Sequence, residues 1–171
     1  AERIMITTAS EHQVDKVEQM AGGKGHVIIE HLLGEKELDG KCGLYAKVTI
    51  EPNCTLGFHE HHGETETYYI LSGEGSYNDG EKSYPVKAGD VTFSGSADTI
   101  LLAAGAADTT ATLASDTYAD TVILMGGNET LVLSTGANVG KVEVREAASG
   151  ASVKVNSGSA VASMEIAGDN C

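Results

Sequence analysis

Residues 57–73 carry the most informative pattern in the chain, Gly-Phe-His-Glu-His-His-Gly-Glu-Thr-Glu-Thr-Tyr-Tyr-Ile-Leu-Ser-Gly. His59 and His61 are two residues apart, so on a strand both side chains leave the same face. A short turn at His62-Gly63 would reverse the chain and let Glu66 project from the next strand toward the same point. Two imidazoles and one carboxylate that converge in this way form a site for a divalent transition metal (Fe, Mn, Ni, Cu or Zn), with positions left for water or substrate.

The neighbouring side chains leave alternatives open. A polar surface hairpin whose histidines have no function is the competing interpretation, and the glycines and alternating flanks favour the metal site over it. Glu64 is an alternative carboxylate ligand to Glu66. His62 has the wrong parity to join the other two histidines on a regular strand, so we expect it to be exposed unless a bulge turns it inward. Tyr68 and Ile70 share the parity of Glu66 and are predicted to line the same interior.

Composition excludes several classes of protein. The 171 residues include 11 Lys and Arg against 25 Asp and Glu, a formal net charge of −14. Such an acidic surface repels a phosphate backbone and anionic lipids, so neither nucleic acid nor membrane is an expected partner. The sequence contains no run of about 20 apolar residues.

Three cysteines, an odd number, and an N-terminus without an apolar signal segment predict a cytoplasmic protein with free thiols, and a Cys42–Cys54 bridge is the minority alternative.

Period-two alternation and closely spaced turn residues predict an all-β fold. A single short helix is expected over residues 10–20, followed by strands through residues 42–50, 67–77, 81–86 and 91–93, with Asp79-Gly80 as a hairpin turn. After Ser94 the composition shifts to Ala, Ser, Thr and Gly, and short apolar segments recur about every 10 residues, as in a meander or a solenoid-like stack. We divide the chain into a domain over 1–125 and a β extension over 126–171.

The pattern His59-x-His61-x4-Glu66-x6-Gly73 resembles the first motif of the cupin superfamily in residue types and spacing, which favours Glu66 over Glu64 as the ligand. The run from Tyr84 to Asp90 resembles the start of the second cupin motif. The resemblance covers about half of the chain. It implies a cupin jelly-roll β-barrel or sandwich, here with additional C-terminal strands, a metal inside the barrel and a homodimer or larger homo-oligomer. Since the family includes isomerases, dioxygenases, decarboxylases and binding proteins, it implies the position of the site rather than the reaction.

One departure from the family pattern concerns the fourth metal ligand. The second cupin motif normally supplies a histidine about eleven residues after the glycine that matches Gly89, and that position is Ile100 here. No histidine follows His62. Asp98, Thr99 or water could complete the coordination, or three protein ligands could suffice.

The leading functional hypothesis is a cupin that binds or acts on a small polar metabolite through a metal held by His59, His61 and Glu66. If it is an enzyme, oxidoreductase or isomerase chemistry is expected, with the metal as Lewis acid or oxygen-activating centre. The alternatives are a non-catalytic binding or sensing module and a structural β protein without metal.

Overall fold

The structure, a computed structural model, describes residues 6–59 and 62–171. The chain forms two compact units that meet in sequence between positions 59 and 60. Regular structure is almost entirely β: the described strands are β1 (Val14–Glu18), β2 (His26–Leu33), β3 (Tyr45–Thr49), β4 (Glu66–Tyr69), β5 (Glu74–Asn78), β6 (Ser83–Lys87), β7 (Val91–Ser94), β8 (Ser96–Leu102), β9 (Thr110–Leu113), β10 (Tyr118–Leu124), β11 (Thr130–Leu133), β12 (Asn138–Val144), β13 (Ser152–Val155) and β14 (Ala160–Ile166). One short α-helix, α1 (Glu35–Leu38), and 3-10 turns at Ala9–Glu11, Met20–Gly22 and Ala104–Ala106 complete the described elements. Within the described ranges, no helix has the length and apolar character needed to cross a membrane.

The first unit is a three-stranded antiparallel sheet in the order β1-β2-β3. Val27 and Ile29 of the central strand β2 are its buried apolar side chains. Ala46 and Val48 of β3 are more buried than their neighbours, as the alternation of residues 42–50 predicts. The sheet is small, so a few side chains of β2 supply most of its apolar core.

The helix predicted over residues 10–20 is wrong: the segment contains strand β1, Val14–Glu18, between two 3-10 turns. Val14–Glu18 pairs with β2 in antiparallel register, Val17 opposite Val27. Glycines build the connection from β1 to β2: Gly25 has φ +70°, and its carbonyl accepts a 2.7 Å hydrogen bond from the Gln19 amide. The pairing partner lies outside the segment, so local helix signals were overridden by the sheet.

The hairpin predicted at Asp79-Gly80 is confirmed and joins β5 to β6. The buried Asp79 carboxylate holds the turn, since one oxygen accepts the amides of Glu81 and Lys82 and the other accepts the Tyr84 hydroxyl at 3.0 Å. These hydrogen bonds keep the pKa of Asp79 below its usual value, although burial alone would raise it. Gly80 takes φ +99°, a conformation that a side chain would strain.

From β7 onward the chain alternates between two parallel sheets. One has the order β14-β12-β10-β8, and the other has the order β13-β11-β9-β7 with β4 added antiparallel at its edge. The short apolar segments that recur after Ser94 overlap the described strands β8 to β14. Successive coils lie in register, with Ile100 beside Val122 and Val122 beside Val142. The prediction of a solenoid-like stack is therefore confirmed, and the alternative prediction of a meander is wrong.

Inward-facing side chains of the two parallel sheets form one core. Leu113, Leu124, Leu131, Leu133, Val122 and Val142 are essentially inaccessible to solvent. Small side chains are part of this core, and Ala119, Ala137 and Ala148 are fully buried as well. The abundance of alanine after Ser94 thus has a structural reason, since close layers leave room only for small groups at the turns.

Each coil of the stack begins at a residue in the left-handed conformation. Asp108, Asn128, Gly150 and Asn170 have φ between 55° and 72°. The amide of Asp108 donates to the Gly127 carbonyl at 2.9 Å, and the amides of Asn128 and Gly150 repeat this bond one coil further on. Asp, Asn and Gly tolerate this backbone conformation best, so the turn chemistry fixes the register of the coils.

The all-β class with additional C-terminal strands is confirmed. The predicted domain boundary after residue 125 falls between β10 and β11. Strands pair across it, β9 with β11 and β10 with β12. The division into 1–125 and 126–171 stays a prediction.

Candidate metal centre

His59 ends the first unit and does not lie in a strand. The segment before it has no regular secondary structure, and its amides bond elsewhere: Thr55 donates to the Lys24 carbonyl at 2.8 Å and Gly57 to the Met20 carbonyl at 3.0 Å. A Cβ on Gly57 would come within 2.0 Å of the Ala21 carbonyl oxygen, so only glycine permits this approach. The strand predicted through His59 is therefore wrong at His59, while His61 lies outside the described residues.

The hydrogen bond of the His59 ring matters for metal binding. Its Nδ1 lies 3.0 Å from the Gly57 carbonyl oxygen, which can accept a hydrogen bond but cannot donate one. Nδ1 is therefore the protonated nitrogen of the neutral ring, and the lone pair is on Nε2. Metal-binding histidines are commonly oriented in this way, with one ring nitrogen donating to a carbonyl. The ring is solvent-exposed, so it is accessible to a metal.

Glu66 occupies the first position of β4, opposite Ser94 of β7. Along β4, Glu66 and Tyr68 are half-buried whereas Thr67 and Tyr69 are exposed. Glu66, Tyr68 and Ile70 thus share the more buried face, as their parity predicts. His62 and Glu64 are both exposed.

Two tyrosines beside this face remain protonated at neutral pH. Burial raises the pKa of Tyr68, and the charge of Glu66 and a hydrogen bond to its carboxylate raise it further. Burial, with the charges of Asp116, Asp79 and Glu66, raises the pKa of Tyr77 to about 12. Tyr68 lies two residues after Glu66 on the same strand face, so its neutral hydroxyl is placed beside the carboxylate.

The described residues supply two members of the predicted ligand set, His59 and Glu66. Within residues 6–59 and 62–171, no three His, Cys, Asp or Glu side chains are grouped closely enough to hold a metal. Imidazole nitrogens and carboxylate oxygens are both ligands that divalent transition metals accept. The Gly57 carbonyl was missed by sequence reasoning, since nothing in a His-x-His pattern indicates which backbone group orients the ring.

Ile100 belongs to the core of the parallel stack. It lies on β8 beside Val122 and packs against the buried apolar cluster that includes Leu102 and Leu124. The spacing of the second motif places Ile100 at the fourth-ligand position, and in the structure this side chain packs against the apolar core. The physical reason is that the chain after Ser94 enters a parallel sheet, so a spacing taken from another topology does not carry over.

We expect Ile100→His to lose stability without gaining metal affinity. The substitution places a polar ring among aliphatic side chains, at a cost of about 1 kcal/mol because Ile100 is only partly buried. Calorimetric titration with Mn2+ and thermal unfolding in EDTA measure the two effects separately. Tighter metal binding in the variant would contradict this placement of Ile100.

Comparison with known proteins agrees with the site motif. Residues 46–96, which include His59, His61 and Glu66, match the cupin domain family. The oxalate-binding protein of Thermotoga maritima is 42% identical over 94 residues, which cover 55% of this chain and 78% of that protein. The crystal structure of a predicted oxalate decarboxylase from the same organism is 43% identical and covers 52% of this chain and 77% of its own, with a TM-score of 0.48.

The chain belongs to the cupin family. The family match ends at Ser96, where β8 begins. The parallel coils from β9 onward lie beyond the matched segment.

Proposed function

We propose that this cupin binds a small dicarboxylate of the oxalate class through a divalent transition metal held by His59, His61 and Glu66. The observation that carries the proposal is the combination of this donor set with the 42% identity to a protein named for binding oxalate. All three side chains fall within the segment that matches the cupin domain.

Electrostatics explains why such a ligand requires the metal. The chain carries a net charge of −14, which opposes the approach of a dianion. The cupin segment contains no arginine, so the bidentate guanidinium contact typical of carboxylate recognition is absent there. Two of its lysines are engaged, Lys82 with the Asn156 amide oxygen and Lys87 with the Asp90 carboxylate. A bound divalent cation would reverse the local sign of the charge.

The protein's own groups would prepare the metal site. The Gly57 carbonyl would hold the His59 ring so that Nε2 is the ligand atom, and the Tyr68 hydroxyl lies on the same strand face as Glu66. When bound, the metal supplies a Lewis-acid centre for the carboxylate oxygens of the ligand. Glu66 then acts as a ligand rather than as a general base.

The shifted pKa values of the cupin segment do not identify a general acid or base. Its described groups with shifted pKa values are Tyr68, Tyr77, Tyr84 and Asp79. The tyrosine values are raised and the aspartate value is lowered, so each moves away from neutrality. Efficient general acid–base catalysis needs a pKa near the working pH, and none of these shifts provides one.

The metal requirement gives the direct test. We expect oxalate to bind to Mn2+-loaded protein in calorimetric titration and to bind at least tenfold more weakly after treatment with EDTA and removal of the chelator. Acetate, with one carboxylate, is the control ligand and is expected to bind more weakly than oxalate because it cannot chelate. Equal oxalate affinity with and without metal would refute the proposal. Metal-dependent consumption of oxalate would refute a purely binding role.

We further propose that the chain functions as a homodimer or larger homo-oligomer in the cytoplasm. An exposed sheet edge favours pairing with another chain.

A further inference from the structure

We propose that Tyr77 determines ligand specificity by donating a hydrogen bond from its hydroxyl to the dicarboxylate at the metal site. This role rests on the proposed function, because it assigns the group that receives ligand oxygens left free by the metal. Tyr77 lies on β5, outside the metal-binding motif, and part of its surroundings belongs to the parallel stack.

The Tyr77 side chain lies on the inner face of the β5–β6 hairpin. It is half-buried, whereas Ser76 and Asn78 on either side are exposed, as expected for a strand with one covered face. Its register partner on β6 is Tyr84, which is 7% exposed. On the outer face, the Asn78 amide donates to the Ser83 hydroxyl at 3.0 Å. Tyr77 therefore points to the covered side of the hairpin.

The face of the five-stranded sheet that carries Glu66 and Tyr68 is covered as well. Tyr68 is paired in register with Thr92 of β7, and Thr92 with Thr112 of β9. Both threonines are buried, although the next residue on β7, Phe93, is the one that packs against the stack core. Both sides of this sheet are therefore shielded from water, and the side of Glu66 includes polar groups.

Charges place the Tyr77 hydroxyl near this face. Besides burial, the charges of Asp116, Asp79 and Glu66 raise the pKa of Tyr77, so these carboxylates lie near its hydroxyl. The Asp116 carboxylate accepts a 2.8 Å hydrogen bond from the Ser94 hydroxyl, and Ser94 is paired with Glu66 between β7 and β4. Asp116 lies in the turn after β9, so the stack supplies one side of this corner.

A hydrogen bond joins the tip of the hairpin to the stack. The Lys82 ammonium donates at 3.1 Å to the amide oxygen of Asn156, the residue after β13. Lys82 also lies over the Tyr84 ring, 5.3 Å from its centroid. Because the hairpin is held in this way, a donor on its inner face has less conformational entropy to lose when a ligand binds.

The Tyr77 hydroxyl is available to a ligand. Among the residues that the structure describes, it has no hydrogen-bond partner, whereas the Tyr84 hydroxyl donates to Asp79 at 3.0 Å. An oxalate that chelates a metal through one oxygen of each carboxylate keeps two further oxygens, which are strong acceptors. A protonated phenol can donate to such an oxygen, whereas the Asp116 carboxylate can only accept and repels it.

Tyr77→Phe removes this donor and keeps the ring. In calorimetric titration of Mn2+-loaded protein, we expect oxalate affinity to fall by about tenfold, the loss of one hydrogen bond to a charged acceptor. The affinity for Mn2+ itself should stay within about twofold of the parent value, since Tyr77 is not a metal ligand. Tyr69→Phe is the matched control, because Tyr69 is 60% exposed on the opposite face of β4 and loses the same hydroxyl.

Asp116→Asn probes the same corner with the opposite sign. The asparagine oxygen can still accept the Ser94 hydroxyl, while the negative charge that opposes the ligand is removed. Oxalate affinity should rise by about threefold. Circular dichroism establishes that each variant is folded, and Asp116→Asn decides the question if Tyr77→Phe does not fold.

Unchanged oxalate affinity in folded Tyr77→Phe, or an equal loss in Tyr69→Phe, would overturn the role of Tyr77 and leave metal-dependent oxalate binding in place. A parallel loss of Mn2+ affinity in Tyr77→Phe would overturn it too, because the effect would then pass through the metal. If Tyr77→Phe is unfolded, unchanged or weaker oxalate binding by Asp116→Asn has the same consequence. Failure of the unaltered Mn2+-loaded protein to bind oxalate would overturn both this role and the proposed function.

Discussion

Replacing His61 with alanine is expected to abolish stoichiometric metal binding, and with it the binding of oxalate. His59 and Glu66 would remain, and two protein ligands compete poorly with water for a divalent cation. We expect an affinity loss of at least ~100-fold, about 2.8 kcal/mol. His59→Ala and Glu66→Gln should have effects of the same order, measured by calorimetric titration with Mn2+ on protein first treated with EDTA.

Two variants separate ligand loss from indirect effects. His62→Ala removes an exposed neighbouring histidine outside the predicted ligand set, so metal affinity should remain within about twofold, well below the tenfold step of 1.4 kcal/mol. Tyr68→Phe removes the hydroxyl that shares the strand face of Glu66 and should weaken metal binding by about tenfold, as is typical for groups that orient a ligand. Full metal binding by His61→Ala, or its loss in His62→Ala, would show that the ligand set is assigned wrongly.

Turn residues and alternating polarity in the sequence correctly predicted the elements that depend on residues close together in the chain. The Asp79-Gly80 turn combines a side-chain acceptor with a residue that tolerates positive φ, and the hairpin forms there. The short apolar segments between 110 and 166 coincide with strands because alternation and turn residues mark strand ends. The parity of Glu66, Tyr68 and Ile70 is likewise correct, since adjacent residues of a strand face opposite sides.

Properties that depend on distant partners could not be predicted in the same way. Alternation is the same for parallel and antiparallel neighbours, so the pattern around Ile100 does not reveal that β8 lies beside β10 in parallel. Residues 10–20 fit a helix by their spacing, but β1 is determined by pairing with β2. At the proposed metal site, the motif supplies only the candidate donor residues, whereas the backbone contact of His59 with Gly57 depends on how Gly57 approaches Ala21.

A buried carboxyl group in the parallel stack combines a structural role with an energetic cost. Glu129 is inaccessible to solvent; its Oε1 accepts the Gly126 amide at 2.7 Å, and its Oε2 is buried without a hydrogen-bond partner. Burial raises the pKa of Glu129, against the lowering effect of the Gly126 and Met125 amides. The folded chain therefore holds the proton more tightly than the unfolded chain. The bound proton of Glu129 contributes fully to stability at pH values below the ordinary pKa of 4.5. This contribution is lost as the pH rises through the pKa of Glu129 in the folded chain.

Glu129→Gln should accordingly stabilise the protein at neutral pH. The glutamine oxygen can still accept the Gly126 amide, while the charge without a partner is removed, so we expect a gain of about 1–3 kcal/mol at pH 7. The difference in unfolding free energy between variant and parent should shrink as the pH falls toward 4.5, the ordinary pKa of the group. Urea unfolding followed at several pH values measures this difference, in which the titration of all other groups cancels.

Glu146→Gln is the matched control, because Glu146 is exposed in the following coil and undergoes the same chemical change. It should leave stability unchanged within about 0.5 kcal/mol at every pH, as is usual for surface substitutions. If Glu129→Gln instead destabilises the protein at pH 7, with a difference that does not vary with pH, the charged carboxylate is required by the turn at Gly126. In that case the hydrogen bonds from the backbone outweigh the cost of burying the charge.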